Sequence, residues 1–280
     1  MLTSGMLLVL SSCSYNMFYS NLDYLIPAYI NNFVELDDTQ ENIVDSKTLY
    51  LLKWHQTEQL PLYIAWLNGI KSLFEKGGSS NISSDVIAQQ INHSALFWKE
   101  LKEKISNDLA IVLPQLNEDQ LHELFENLAE DNQKFIRENI SLTEKEKNQL
   151  YEERLISGFE KWLGYLTDEQ ITLLSESAPG FRSLSRLRLA ARFEWQQKTR
   201  EILELDDSTN KTDKLKKLFL KLSDKNERHY QKTNASNHKQ LTSLIFHINK
   251  SIQGKQKQHL LENLDYYIEM LSEFEKHKWK

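Results

Sequence analysis

Turn-forming residues are scarce in this chain, with eight glycines and four prolines among 280 residues. Sheets and barrels reverse direction often, and glycine and proline supply the backbone geometry for many of those turns. Their shortage points to long helices joined by few loops. The apolar pattern agrees. Leu22, Leu25, Ile26, Tyr29, Ile30 and Phe33 recur at intervals of three and four, the period of one helix face. Asp37-Asp38-Thr39 offers cap-type residues for a second helical stretch that runs towards Gly77-Gly78. Along it Leu49, Leu52, Gln56, Gln59, Tyr63, Trp66, Leu67 and Ile70 keep helical spacing. Pro61 is expected to kink or divide it, since the proline ring clashes with the carbonyl four residues back. Ser83-Ser84-Asp85 opens the next helix, with a stripe through Ile87, Ile91, Trp98, Leu101, Ile105 and Leu109.

Helix starts are written clearly further along. Leu116-Asn117-Glu118-Asp119-Gln120 and Leu166-Thr167-Asp168-Glu169-Gln170 share one layout, a cap residue with glutamine at the third helical position. Thr143-Glu144-Lys145-Glu146 is a third box of the kind. Three well-made helix starts explain the likeness more simply than an internal duplication does. Pro179-Gly180 breaks the chain before a basic helix from Phe181 to about Leu205. Residues 206–214 form the most linker-like stretch, and the periodicity beyond them suggests a terminal helical hairpin around Gly254. The expected organisation is a main helical domain over 19–205, then a linker and C-terminal hairpin over 206–280 packed on it. The fold class is all-α, an elongated or curved multi-helix assembly, because the apolar stripes are narrow and the surface heavily charged.

The only cysteine, Cys13, follows the apolar run Met6-Leu7-Leu8-Val9-Leu10 and the small residues Ser11-Ser12. Leu10-Ser11-Ser12-Cys13 resembles a bacterial lipobox, in which a signal peptide (here residues 1–12) is cleaved before a cysteine that then carries lipid. Residues 13–18 would be the tether. Residues 1–12 carry no Lys or Arg, unlike the start of a signal peptide, and a start codon placed too far downstream would account for it. The alternative is a helix with a buried free thiol. Ser14 stands where an inner-membrane lipoprotein would carry aspartate, so the expected address is the periplasmic face of the outer membrane. A single cysteine excludes an internal disulfide and a thiolate-rich metal site. A net charge of −6 argues against a general nucleic-acid binder.

Two constellations could carry function. Trp54-His55 with Glu58 places an imidazole and a carboxylate one turn apart on one helix face, for acid–base work, for sharing a metal, or for closure against a neighbouring helix, the simplest of the three. The basic helix carries Arg182, Arg186, Arg188, Arg192, Lys198 and Arg200 against Glu194 alone over residues 181–200. Arg188, Arg192 and Trp195 share one of its faces. The helix could grip an anionic ligand such as lipid phosphate or an acidic partner protein, or dock on the acidic helices around Glu123–Glu130 and Glu144–Glu153. His122-Glu123-Leu124-Phe125-Glu126 falls short of a zincin helix, with Glu126 in place of the second histidine. Asp119-x-x-His122 has no partner motif for a di-iron site. Ser208-Thr209-Asn210-Lys211 fits S-x-x-K formally, but within a polar stretch and without companion motifs. No metal or cofactor is expected.

The ordered set "YSNLDYLIPAYINNFVEL", "KWHQTEQLPLYIAWL", "LAEDNQKFIREN", "WLGYLTDEQ" and "RLRLAARFEWQQK" resembles a family of uncharacterised proteobacterial lipoproteins, a domain of unknown function. The resemblance covers nearly the whole chain after Cys13, loosely after about residue 205. It implies an all-helical, lipid-anchored envelope protein and supplies no catalytic residues. The expected role is non-enzymatic binding of an envelope protein or peptide. The alternative is a groove that binds a lipid or other anionic amphiphile.

Overall fold

A computed structural model describes residues 17–77, 81–206, 208–220 and 224–279. The signal-like segment 1–12, Cys13 and Gly78 lie outside the described residues. Among these residues there are eleven α-helices and no strand: α1 (Leu22–Asn31), α2 (Asp38–Trp54), α3 (Leu60–Gly77), α4 (Ser84–Val112), α5 (Glu118–Asn139), α6 (Glu144–Leu163), α7 (Asp168–Ser177), α8 (Ser185–Leu203), α9 (Ser208–Leu220), α10 (Asp224–Ser251) and α11 (Gly254–Phe274). The fold is all-α.

Three apolar clusters hold the layers. Val34, Val44, Ala110, Leu113, Leu124, Leu203, Leu215 and Phe219 join α2, α4, α5, α8 and α9. Leu67, Leu163, Leu174, Leu244, Ile248, Leu260 and Leu264 join α3, α6, α7, α10 and α11. Tyr19, Leu60 and Phe274 form a small third cluster where the two ends of the described chain meet.

Two boundaries differ from expectation. The expected linker 206–214 is mostly helix, because Leu215 and Phe219 are buried in the first cluster and draw Ser208–Leu220 into the fold as α9. Lys211 pins it by donating to the Leu203 carbonyl at 2.7 Å. The expected hairpin does turn at Gly254, but α10 and α11 leave that corner for different partners. α11 packs along α3 and α6, and α10 along α4, α7 and α8. Leu244 and Ile248 of α10 and Leu260 and Leu264 of α11 meet only within the second cluster.

The helix starts do more than begin helices. Reciprocal capping boxes stand at Asp37/Gln40, Asn117/Gln120, Thr143/Glu146, Thr167/Gln170 and Gln253/Gln256. Four of their third-position residues are glutamines, and they pair two and two. Gln40 Nε2 donates to Gln120 Oε1 at 2.9 Å, and Gln120 Nε2 donates back to Gln40 Oε1 at 2.6 Å. Gln256 Nε2 donates to Gln170 Oε1 at 2.7 Å, and Gln170 Nε2 donates back at 3.3 Å. Each amide also serves a loop carbonyl: Gln115 and Glu35 in one pair, Ser251 and Tyr165 in the other. The likeness first read as good helix starts is thus also a way of joining two of them through their caps.

Pro61 has its expected effect one turn early. In a straight α-helix its ring would strike the Thr57 carbonyl. Instead His55–Gln59 widens into a π-helix, with the Leu60 N–H reaching back to the His55 carbonyl. At the end of α6 the chain turns on Gly164, at φ +80. A Cβ there would be strained and would meet the His259 ring at 2.9 Å.

Candidate functional site

The π turn changes which side chains share a face. An α-helix would align His55 with Glu58, but the extra residue in the turn separates them. His55 points into the third cluster. Its Nδ1 lies 3.3 Å from the Tyr19 hydroxyl, and its ring meets Tyr63 edge-on at 5.6 Å. Burial lowers the imidazole pKa to about 4, so it is neutral at pH 7. The same burial raises Tyr19 far above the usual phenol range, and burial together with Glu100 pushes Tyr63 up to about 12. Glu58, by contrast, is exposed on the outer side. The expected imidazole–carboxylate pair does not form, and closure against neighbouring elements takes its place.

Gln56 and Trp279 complete this node. Gln56 Nε2 donates to the carbonyls of Phe274, Glu275 and His277 at 2.7, 3.0 and 2.7 Å. Its Oε1 accepts from the Trp279 indole N–H at 3.0 Å. The Phe274 carbonyl ends α11 and also accepts from the His277 N–H at 3.1 Å, and the Glu275 and His277 carbonyls follow it in the last turn of chain. Tyr19 lies stacked on Phe274, centroids 4.1 Å apart, and tilted against Trp279 at 5.2 Å. One widened turn therefore holds the start of the described chain through His55 and its end through Gln56.

Protonating His55 would put a charge into this apolar site. Its native pKa lies below the ordinary 6.5, so the unfolded chain binds the proton first as pH falls. The stabilisation is complete above about pH 6.5 and is lost as pH drops towards 4. Urea unfolding at pH 7 and 4.5 is expected to show roughly 2 kcal/mol more loss in the native chain than in His55→Phe. Equal losses would show that His55 does not carry the slope.

On the outer side, Trp54, Glu58 and Leu62 form one wall of an open groove of about 420 Å³. Gln59 lines it too, with Glu100, Glu103, Lys104 and Asn107 of α4 opposite. Gln59 donates to Glu100 at 2.9 Å and fixes that carboxylate. Lys104 lies over the Tyr50 ring at 4.3 Å and donates to the Tyr50 hydroxyl at 3.1 Å. Phe97 packs against Tyr63 and Trp66 and holds the two walls together. Three carboxylates thus face one cation that Tyr50 already engages, and exposed Leu62 and Leu96 lie on the two helices that form the walls.

The basic helix docks. Arg192 donates to Asp131 at 2.8 Å and to Asn132 at 3.4 Å, and lies over the Phe135 ring at 5.1 Å. Arg200 covers the Phe125 ring at 4.4 Å. Trp195 packs on the first cluster and leans on Phe219, centroids 5.3 Å apart. Arg188 is half-buried with its Nε enclosed and no hydrogen-bond partner for that atom. Of this face, Arg192 pairs with an acidic helix, through Asp131. Trp54 and Glu58 line the groove; His55, Arg188, Arg192 and Trp195 do not. The groove residues not singled out from sequence, Leu62, Glu100 and Glu103, become visible only once α3 and α4 are side by side.

The remaining motifs resolve simply. His122 Nδ1 and Glu126 sit 3.4 Å apart, both exposed, while Leu124 and Phe125 are buried. No group of three or more His, Cys, Asp or Glu suited to a metal occurs among the described residues. No helix among them is long and apolar enough to cross a membrane.

What these features define is an all-helical domain with polar side chains committed to joining its elements and an acidic groove left open. Residues 32–231 match a family of unknown function, DUF6279, and the chain belongs to that family. No curated protein and no solved structure matches it.

Proposed function

We propose that the protein is a lipoprotein anchored through Cys13 at the periplasmic face of the outer membrane. There it binds, without catalysis, a basic amphipathic segment of another envelope protein in the groove between α2–α3 and α4. The lipobox and the resemblance to proteobacterial lipoproteins support the anchor. The groove carries the binding reading: Glu58, Glu100 and Glu103 favour a cationic stripe, and Trp54 and Leu62 offer apolar contact beside it. An anionic amphiphile suits this groove poorly, since it would meet the same carboxylates. The arginines that once suggested one lie elsewhere, with Arg192 committed to Asp131.

A photoreactive residue at Leu62, activated in cells, tests this. It is expected to form one dominant protein adduct. Glu58→Lys combined with Glu103→Lys is expected to cut its yield about fivefold or more, as like charges oppose a basic segment. No adduct, or a yield indifferent to those charges, would refute the groove as the binding site.

A further inference from the structure

The first helix presents an aromatic outer face that is largely exposed among the described residues. Leu22 packs on the third cluster and Ile30 and Phe33 on the first, so α1 is held to the body by its inner side. Leu25 and Tyr29, expected on that same apolar side, point outwards instead. Tyr24 is 72% exposed and Tyr29 51%, with Leu25 between them also exposed. Met17 and Phe18 just before the helix are exposed as well. In a chain that is 26% charged, residues 14–34 carry a single ionisable acid or base of the Asp, Glu, Lys or Arg type, Asp23. Tyr29 stands at the edge of this face, its ring edge-on to Phe33 and the Asp131–Arg192 pair beside it. Tyrosine and phenylalanine on a face whose own segment is nearly free of charge match the boundary of headgroups and acyl chains, where an aromatic body meets a polar tip.

Position names the occupant. Met17 lies four residues after Cys13, so the backbone between them spans at most about 14 Å. Tyr19, two residues further on, is clamped by Phe274 and His55. A lipid on Cys13 therefore leaves little slack, and it brings the body down with α1 next to the bilayer. We propose that the outer face of α1, Tyr24, Leu25 and Tyr29, is a membrane-seating surface that lies in the bilayer interface and sets the orientation of the domain. This rests on the reading of Cys13 as the anchor. A single helix face adds little affinity beside acyl chains, so its effect is on orientation.

The test uses protein purified from the envelope and placed in vesicles of phosphatidylethanolamine and phosphatidylglycerol. With Cys13 blocked by lipid, Tyr24→Cys, Tyr29→Cys or Trp98→Cys each adds one free thiol for a spin label. Trp98, on α4 and 63% exposed, is the reference. Labels at 24 and 29 are expected to meet dissolved oxygen more, and a water-soluble nickel chelate at least about threefold less, than the label at 98. Labels at 24 and 29 as accessible to the chelate as the label at 98 would overturn the proposal. The mass of the Cys13 peptide reports the anchor separately. If it carries no acyl chain, the anchor reading fails, and the same labels are read on the full chain with Cys13→Ser mixed with those vesicles. Aqueous labels there would overturn the seating surface too, and interfacial labels would uphold it without the anchor.

Discussion

Gln256→Leu is expected to destabilise the protein by about 3–4 kcal/mol, more than any surface substitution. Gln256 is fully buried, and each of its polar atoms is engaged. Its Nε2 donates to the Tyr165 carbonyl at 2.9 Å and to Gln170, and its Oε1 accepts from its own box N–H, Gln253 N, at 2.9 Å. Leucine fits the volume but leaves the Tyr165 carbonyl and the Gln253 N–H bare and takes one partner from the buried Gln170 amide, which keeps Ser251. Removing one partner of a buried pair costs more than the pair contributes, because the groups left behind bear the desolvation penalty. The double variant Gln170→Leu with Gln256→Leu is therefore expected to lose about 2 kcal/mol less than the sum of the singles. Urea unfolding of the four proteins measures this. Additive losses would show that the two amides act independently.

The second large effect lies at the π turn. Tyr19→Ala is expected to cost about 3–4 kcal/mol, since it removes a buried ring from a contact with Phe274 and Trp279 and leaves a cavity. Gln56→Leu is expected to cost about 2–3 kcal/mol by freeing the Glu275 and His277 carbonyls and the indole N–H and removing one of two donors to the Phe274 carbonyl. The two should couple, because both act on the seat of residues 274–279. Loosening that node would also release the start of the described chain.

The fold class and most helix starts were legible in sequence because they depend on local chemistry: few turn residues, a three-and-four period, and caps with glutamine or glutamate three positions on. The fate of the linker-like stretch was not. Asp206 to Lys214 are polar, and only Leu215 and Phe219 beyond them decide that the segment is helix, by burial in a cluster built from other elements. The site was half legible. Trp54, His55 and Glu58 are legible as a local group, but their division between an inner node and an outer groove depends on the π turn just ahead of Pro61. The missed signal was polar. Gln56 and Gln59 sit within an apolar stripe, and a glutamine in such a position needs buried partners. The same reading applied to Gln40, Gln120, Gln170 and Gln256 would have marked four helix starts as joined in pairs, though not which with which. The basic helix shows the converse: in a run of arginines that suggests an anion site, Arg192 and Arg200 are used against Asp131 and aromatic faces within the fold.

The central claim is that one widened turn holds both ends of the described chain, with His55 gripping the first and Gln56 the last. Hydrogen exchange read by mass spectrometry in Gln56→Leu at pH 7 tests it most directly. The account predicts that residues 17–31 and 274–279 lose protection together, by roughly tenfold or more, while α4 and α5 keep theirs. Loss confined to residues 274–279, with 17–31 as protected as in the native chain, would contradict it.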